Sequence, residues 1–251
     1  MNDIAFDGVA RNPDPNRIIH GFERSAMTIN FIRALIDGGF ADLHHPEYWD
    51  LGFVEHSPRA SEYQEIVESI AESLRFMETL AGESVGAINR VEFFTSHEGL
   101  HLHYEQAQTR QVPRRDGWYD LSCHFPWIGA RTADLDGGHI EFFRGITNPI
   151  GVKIGTHDVD IEKLLDALHP SNEPGRLTLI HRYGVDKVSG ELPKLIEAVQ
   201  ATGKQVLCIC DPMHGNTKKT EDGLKTRNFD SILSELEQSI DIHKDMNSTL
   251  G

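Results

Sequence analysis

The sequence predicts an α/β fold: an incomplete (β/α) TIM-type barrel of about five βα units behind an N-terminal helical segment. Three observations carry this reading. Five short apolar runs, VEFFT (91–95), LSCHFPWIG (121–129), PIGVKIG (149–155), RLTLIHR (176–182) and QVLCICD (205–211), begin roughly 27–30 residues apart, about the length of a βα unit. The stretches between them have helical pattern, clearest at IEKLLDAL (161–168) and ELPKLIEAVQA (191–201), and FDSILSELEQSIDIHKD follows near 229–245. Apolar strands alternating with helices indicate a parallel sheet covered on both faces. Eight units close such a barrel, and only five are clear here, with one weak further strand near IAFDGV (4–9).

The region before residue 91 reads differently. Asp14 and Pro15 suit the N-cap and first position of a helix. Ile18, Phe22, Ile29, Ile32 and Ile36 then recur near helical spacing until Gly38-Gly39. A second helix is predicted near 60–81, with Tyr63, Val67, Ile70, Leu74, Met77 and Leu80 as its apolar stripe, and residues 40–58 read as a connecting loop. The expected organisation is a helical segment over 1–90 and a partial barrel of catalytic type over 91–251.

Composition narrows the function. The formal net charge is −15, which repels nucleic acid and anionic membranes. No apolar run is long enough to span a bilayer, and the N-terminal residues lack a basic region followed by an apolar one. Three cysteines, Cys123, Cys208 and Cys210, suit a reducing compartment, so a cytoplasmic location is expected. Cys208 and Cys210 share one face of a strand, a spacing that reads as packing.

In parallel α/β folds the carboxyl ends of the strands carry the site. Here those ends give Ser96-His97-Glu98, Gly129-Ala130-Arg131, Lys153-Ile154-Gly155, His181-Arg182 and Asp211-Pro212-Met213-His214. Arg131, Lys153 and Arg182 would converge on one mouth, where cations suit a carboxylate or phosphate. Each could instead be an ordinary capping or salt-bridging cation. His97-Glu98-Gly99-Leu100-His101 also fits the H-E-x-x-H zinc pattern. That chemistry needs both histidines on one helix, whereas His97 directly follows a predicted strand.

The segments TSHEGLHLHYEQAQTR (95–110), WYDLSCHFPWIGARTADLDG (118–137), HIEFFRGITNPIGVKIG (139–155), EPGRLTLIHRYG (173–184) and CDPMHGNTKKTEDGLKTRNFD (210–230) resemble the class II DAHP synthase family. DPMHGNT followed by LKTRNF is the most specific part, and the resemblance runs over nearly the whole chain. It implies a transferase that condenses phosphoenolpyruvate with an aldose phosphate such as erythrose 4-phosphate, in aromatic or secondary-metabolite biosynthesis. It implies that Arg131, Lys153 and Arg182 hold phosphoenolpyruvate, with Lys153, Arg182 and Glu98 catalytic and Lys225 binding substrate. It also implies a divalent metal, Mn²⁺ or similar, with His214 as one of four ligands.

Several positions depart from the family pattern. The Cys, Glu and Asp that complete the family's metal site, its early phosphoenolpyruvate Arg and its Lys-Pro-Arg-Ser loop have no counterpart, so the chain reads as shortened at both ends. Ala130 stands where Glu is usual, and Cys208 where Trp is usual. His101 and His103 replace Leu and Asp. His181, His157 and Asp211 are the candidate replacement ligands beside His214. Two readings stay open: a shortened synthase, or a non-catalytic paralogue that binds phosphoenolpyruvate or a full-length synthase. Unpaired strand edges need covering, so a homo-oligomer or a partner chain is expected, or cover of the VEFFT and QVLCICD edges by the N-terminal helices.

Overall fold

A computed structural model describes residues 5, 7–38, 52–81, 92–155 and 159–251. The chain divides into two compact units, Met1–Phe94 and Thr95–Gly251.

The first unit is helical. Helix α1 spans Pro15–Asp37, and the Asp14 side chain accepts the N–H of Asn16 at 3.0 Å, capping it as expected. Its least exposed apolar positions include Ile18, Phe22, Ile29, Ile32 and Ile36, the stripe read from the sequence. Helix α2 spans Ala60–Ala81. Its stripe differs from the expectation: Val67, Ala71 and Leu74 are the covered apolar positions, while Tyr63, Ile70, Met77 and Leu80 are exposed. The weak strand expected near 4–9 is not seen over its described part. Asp7 instead nucleates a turn, its carboxylate accepting the N–H groups of Val9 and Ala10. Most of the 40–58 loop lies outside the described residues.

The second unit is the parallel α/β part. Its elements are β1 (Ser96–Glu98), α3 (Leu102–Gln108), β2 (Thr109–Arg110), β3 (Tyr119–Asp120), β4 (Phe125–Ile128), α4 (Gly138–Arg144), β5 (Ile150–Ile154), α5 (Ile161–Leu168), β6 (Leu177–His181), α6 (Val188–Thr202), β7 (Leu207–Cys210), β8 (Thr217–Lys219), β9 (Lys225–Arg227) and α7 (Phe229–Asp245). Strands β1-β4-β5-β6-β7 form one parallel sheet in that order. Successive strands as neighbours, joined by helical crossovers, is barrel topology, and the five strands do not close. The small antiparallel pairs β2–β3 and β8–β9 lie within two of the connections.

The first strand starts later than VEFFT suggests. Phe93 and Phe94 are exposed, and pairing with β4 begins at Ser96. Thr95 is held instead by the His124 ring, which its N–H approaches at 3.1 Å and its hydroxyl at 2.8 Å. Helix α6 begins at Val188, three residues before the predicted start, and carries Pro193 within it.

The core lies between the sheet and its helices. Ile128, Ile150, Val152, Ile154, Leu177 and Leu179 project from the strands into Ile140 and Phe143 of α4, Leu164, Leu165 and Leu168 of α5, and Leu192 and Ile196 of α6. Burying one such side chain contributes roughly 1.5–3 kcal/mol. Side chains alternate along a strand, so intervening positions such as Trp127, Lys153 and Ile180 occupy the opposite, inner face. Beyond α7, Leu250 bridges Cys208 in parallel, and the Gly251 N–H donates to the Cys208 carbonyl at 2.8 Å. These residues pair along part of the far edge of β7, a cover not anticipated from the sequence. Among the described residues no helix is long and apolar enough to cross a membrane.

Candidate functional site

The alternation that fills the core sends Lys153 of β5 to the inner face, together with Arg182 just beyond β6 and Asp211 just beyond β7. Lys153 Nζ donates to Asp211 Oδ2 at 2.8 Å and stands 5.4 Å from the centre of the Trp127 ring. Asp211 also receives the His214 Nδ1 group, 2.6 Å from Oδ2 and 2.9 Å from Oδ1. The N–H groups of Met213 and His214 point at Oδ1. Burial pushes the Asp211 carboxyl up, but hydrogen bonds from Lys153 and His214, and their charges, outweigh it and hold it at about 2. Lys153, Asp211 and His214 thus form one ionic chain across the strand ends.

Beside it lies a cavity of about 290 Å³. Arg131, Arg182, Lys187 and His214 line it, with Asp186 as the one acidic residue among the described lining residues and Ala130, Gly155 and Gly215 adding little bulk. Arg182 Nε is buried without a hydrogen-bond partner, and so is Trp127 Nε1. A buried donor left unpaired costs about 1–3 kcal/mol.

The structure therefore places Arg131, Arg182 and His214 on one cavity, with Lys153 linked to it through Asp211. Glu98 ends β1, with its carboxylate against the backbone of Gly129. A Cβ on Gly129 would lie 2.8 Å from Glu98 Cδ, so the glycine makes room for the acid two residues before Arg131. Lys225 lies exposed on β9 and is not among the described residues lining the cavity. Lys187 was not singled out from the sequence. Its signal was its position in the turn after β6, five residues beyond Arg182.

The other histidines divide clearly. His181 shares the face of Leu177 and Leu179, turned toward the helices and away from Arg182. It is fully buried, stacked on Tyr183 at 6.0 Å and on His243 of α7 at 5.8 Å, and neither ring nitrogen has a partner. Burial, then the neighbouring His243, pushes it down to about 4. His157 lies outside the described residues. His97 lies on β1 and His101 at the N-cap of α3, so the H-E-x-x-H pattern does not sit on one helix. His97 instead pairs with buried Glu105 at 3.0 Å, and Cys123 and then Glu105 raise it to about 10. Burial pushes the Cys208 and Cys210 thiols up to about 11, in keeping with a packing role.

A divalent metal finds few ligands here. Among the described residues no three His, Cys, Asp or Glu side chains form a group that could hold one. His214 and Asp211 are two donors already bonded to each other, and such sites normally use three or more. The described residues do not by themselves fit a metal centre.

The fold and this cavity define a class: an α/β protein of barrel topology with a cation-lined pocket at the carboxyl ends of its strands. A sequence model of the class-II DAHP synthetase family matches residues 1–251, and the chain belongs to that family. It is 46% identical over 259 residues to the phospho-2-dehydro-3-deoxyheptonate aldolase of Neurospora crassa, covering 96% of this chain and 54% of that protein. It is 43% identical over 253 residues to the enzyme of the same name from Streptomyces coelicolor, covering 100% of this chain and 56% of that protein. The chain spans about half the length of the curated relatives it matches.

Proposed function

We propose that this chain carries the phosphoenolpyruvate-binding part of a DAHP-synthase-type transferase, one that joins phosphoenolpyruvate to an aldose phosphate such as erythrose 4-phosphate in the cytoplasm. The 91–251 region holds the site, and the 1–90 region is a helical accessory. The observation that carries the reading is the cavity lined by Arg131, Arg182, Lys187 and His214, which gathers cationic side chains at the strand ends. Relatives with 43–46% identity bear the corresponding enzyme name.

In the reaction the enol carbon of phosphoenolpyruvate bonds to the sugar aldehyde carbon. Water adds to the adjacent carbon, and the carbon–oxygen bond to phosphate breaks. Guanidinium groups suit the phosphate and carboxylate because their forked donors match both oxyanions. Arg131 and Arg182 hold the substrate and take up the charge that accumulates on the leaving phosphate. Lys153, linked to His214 through Asp211, is the proposed proton donor at the strand ends. Glu98 packs against Gly129, two residues before Arg131.

The divalent metal of the family has one expected ligand here, His214, beside Asp211, and no step is assigned to it. That no three His, Cys, Asp or Glu side chains gather among the described residues suits a second reading: a non-catalytic paralogue that binds phosphoenolpyruvate or partners a full-length synthase, as a homo-oligomer or with another chain. Consumption of phosphoenolpyruvate with erythrose 4-phosphate, with and without Mn²⁺ and a chelator, separates the two. Turnover that the chelator abolishes supports the enzyme. Phosphoenolpyruvate binding without turnover supports the second reading, and absence of both overturns the anion site.

A further inference from the structure

Helix α7 reaches behind the cavity and ties together the two loops that form it. Glu235 is fully buried on this helix. Its Oε1 accepts the N–H of Gly184 at 2.8 Å, and its Oε2 accepts the Nδ2–H of Asn216 at 2.6 Å. Asn216 extends the link: its Oδ1 accepts the Val185 N–H at 3.0 Å, and its Nδ2 donates to the Pro212 carbonyl at 2.9 Å. One carboxylate thus receives a donor from the loop after β6 and another from the loop after β7.

The two loops are also in backbone contact. Gly184 has φ +89°, and a Cβ there would lie 2.9 Å from the Gly215 carbonyl oxygen. Arg182 stands two residues before Gly184, and His214 two residues before Asn216, so the clamp lies directly behind the two side chains that share the cavity. Its polarity is specific. Both Glu235 oxygens accept and neither donates, whereas a glutamine would set an NH₂ group against one of the two donors. A buried carboxylate is costly unless donors meet it, and here donors from both loops do so.

We infer that Glu235 is a positioning residue, holding the Arg182 and His214 loops at the separation that makes them one anion pocket. The inference rests on the proposed function for what the pocket binds, but the clamp itself can be read without ligand. The experiment compares the full chain with Glu235→Gln and with the double variant Glu235→Gln/Asn216→Asp. The double variant reverses the polarity of the central bond: Gln donates, Asp accepts, and the Gly184 and Val185 amides keep their acceptors, while the Pro212 and Ser231 carbonyls lose the Asn216 donor and face a carboxylate oxygen instead.

Amide exchange at Gly184 and Val185 and the NMR signals of Arg182 Nε–H and the His214 ring report the clamp, and titration with inorganic phosphate reports the pocket. Glu235→Gln is expected to speed exchange at both amides about tenfold or more. It should shift the Arg182 and His214 signals while those of Ile140 and Phe143 stay in place, and weaken phosphate binding about tenfold. The double variant should recover much of each effect. Unchanged amides, or loosened amides with unmoved Arg182 and His214 signals, would overturn the inference. If the parent takes up no phosphate while Glu235→Gln still moves those signals, the proposed function fails and the positioning role stands. Should Glu235→Gln not fold, Asn216→Ala takes its place: faster exchange with moved Arg182 and His214 signals supports the clamp, and unchanged amides or unmoved signals overturn it.

Discussion

Lys153 and Asp211 meet at 2.8 Å although their strands are not neighbours: β6 lies between them. The ion pair therefore spans a strand on the inner face, and only 15% and 12% of the two side chains is exposed. Asn at 211 keeps the shape and removes the charge. Asp211→Asn is expected to lower stability by about 2 kcal/mol, because the Lys153 ammonium stays largely buried without its counter-ion. Urea denaturation at pH 7 measures it, and an unchanged midpoint would show that solvent already screens the pair.

The same residue sets an acid limb. Asp211 is held at about 2, below the ordinary 3.8, so the unfolded chain binds its proton more readily. Its contribution is fully present above pH 4 and is lost as pH falls toward 2, amounting to about 2 kcal/mol. The Asp211→Asn variant should lack this part of the curve.

His181 acts in a separate window. It sits at about 4 against an ordinary 6.5, so the unfolded chain again binds the proton first. Stability from this group is complete above pH 6.5 and falls by about 3 kcal/mol as pH drops to 4. His181→Leu should flatten the stability curve between pH 6.5 and 4 and leave the limb below pH 4 unaltered. A His181→Leu curve that falls between pH 6.5 and 4 as steeply as the parent's would mean the buried ring does not titrate.

Arg182→Ala and Arg131→Ala each remove a guanidinium from the cavity wall. Each is expected to weaken phosphoenolpyruvate binding by ~1.5–3 kcal/mol, the worth of a charge-assisted contact. Lys225→Ala, on the exposed β9, should cost less. Calorimetric titration measures all three, and an equal loss at Lys225 would place the ligand nearer the β8–β9 hairpin.

Mn²⁺ is expected to bind this chain weakly, since His214 and Asp211 fall short of a full ligand set. Metal analysis after dialysis, on the parent and on His214→Ala, checks this. A stoichiometric ion that survives dialysis in the parent and vanishes in His214→Ala would show that further ligands gather around this histidine.

Much of the sheet was legible because β5 and β6 are buried on both faces and so read as apolar runs. β5, β6 and β7 fall inside the runs quoted for them. The first strand was misplaced because Phe93 and Phe94 looked like core residues, whereas pairing starts only after His124 has secured Thr95. Helices α3 and α4, seven residues each, were not singled out because they are too short to show a period. At the site, Arg131, Arg182 and His214 were legible from strand ends. The orientation of His181 was not, since one residue's shift along a strand reverses its face. Glu235 was invisible because an acid in the middle of an amphipathic helix normally faces water, and only the fold reveals that two loops end against it.

The alternation along β5 and β6 separates two kinds of information at single-residue resolution. Even-numbered positions 150, 152 and 154 on β5, and odd-numbered 177, 179 and 181 on β6, face the helices, while Lys153 and Arg182 belong to the other parity. A saturation scan across these strands should tolerate apolar exchange at the helix-facing positions, be limited by packing at Gly151, Thr178 and Ile180, and be governed by charge at Lys153 and Arg182. The two faces could then be altered independently, repacked for stability on one and recharged for a different anion on the other. A one-residue slip in either strand would bury a cation and expose the core together, which sets the register of these strands against such an error.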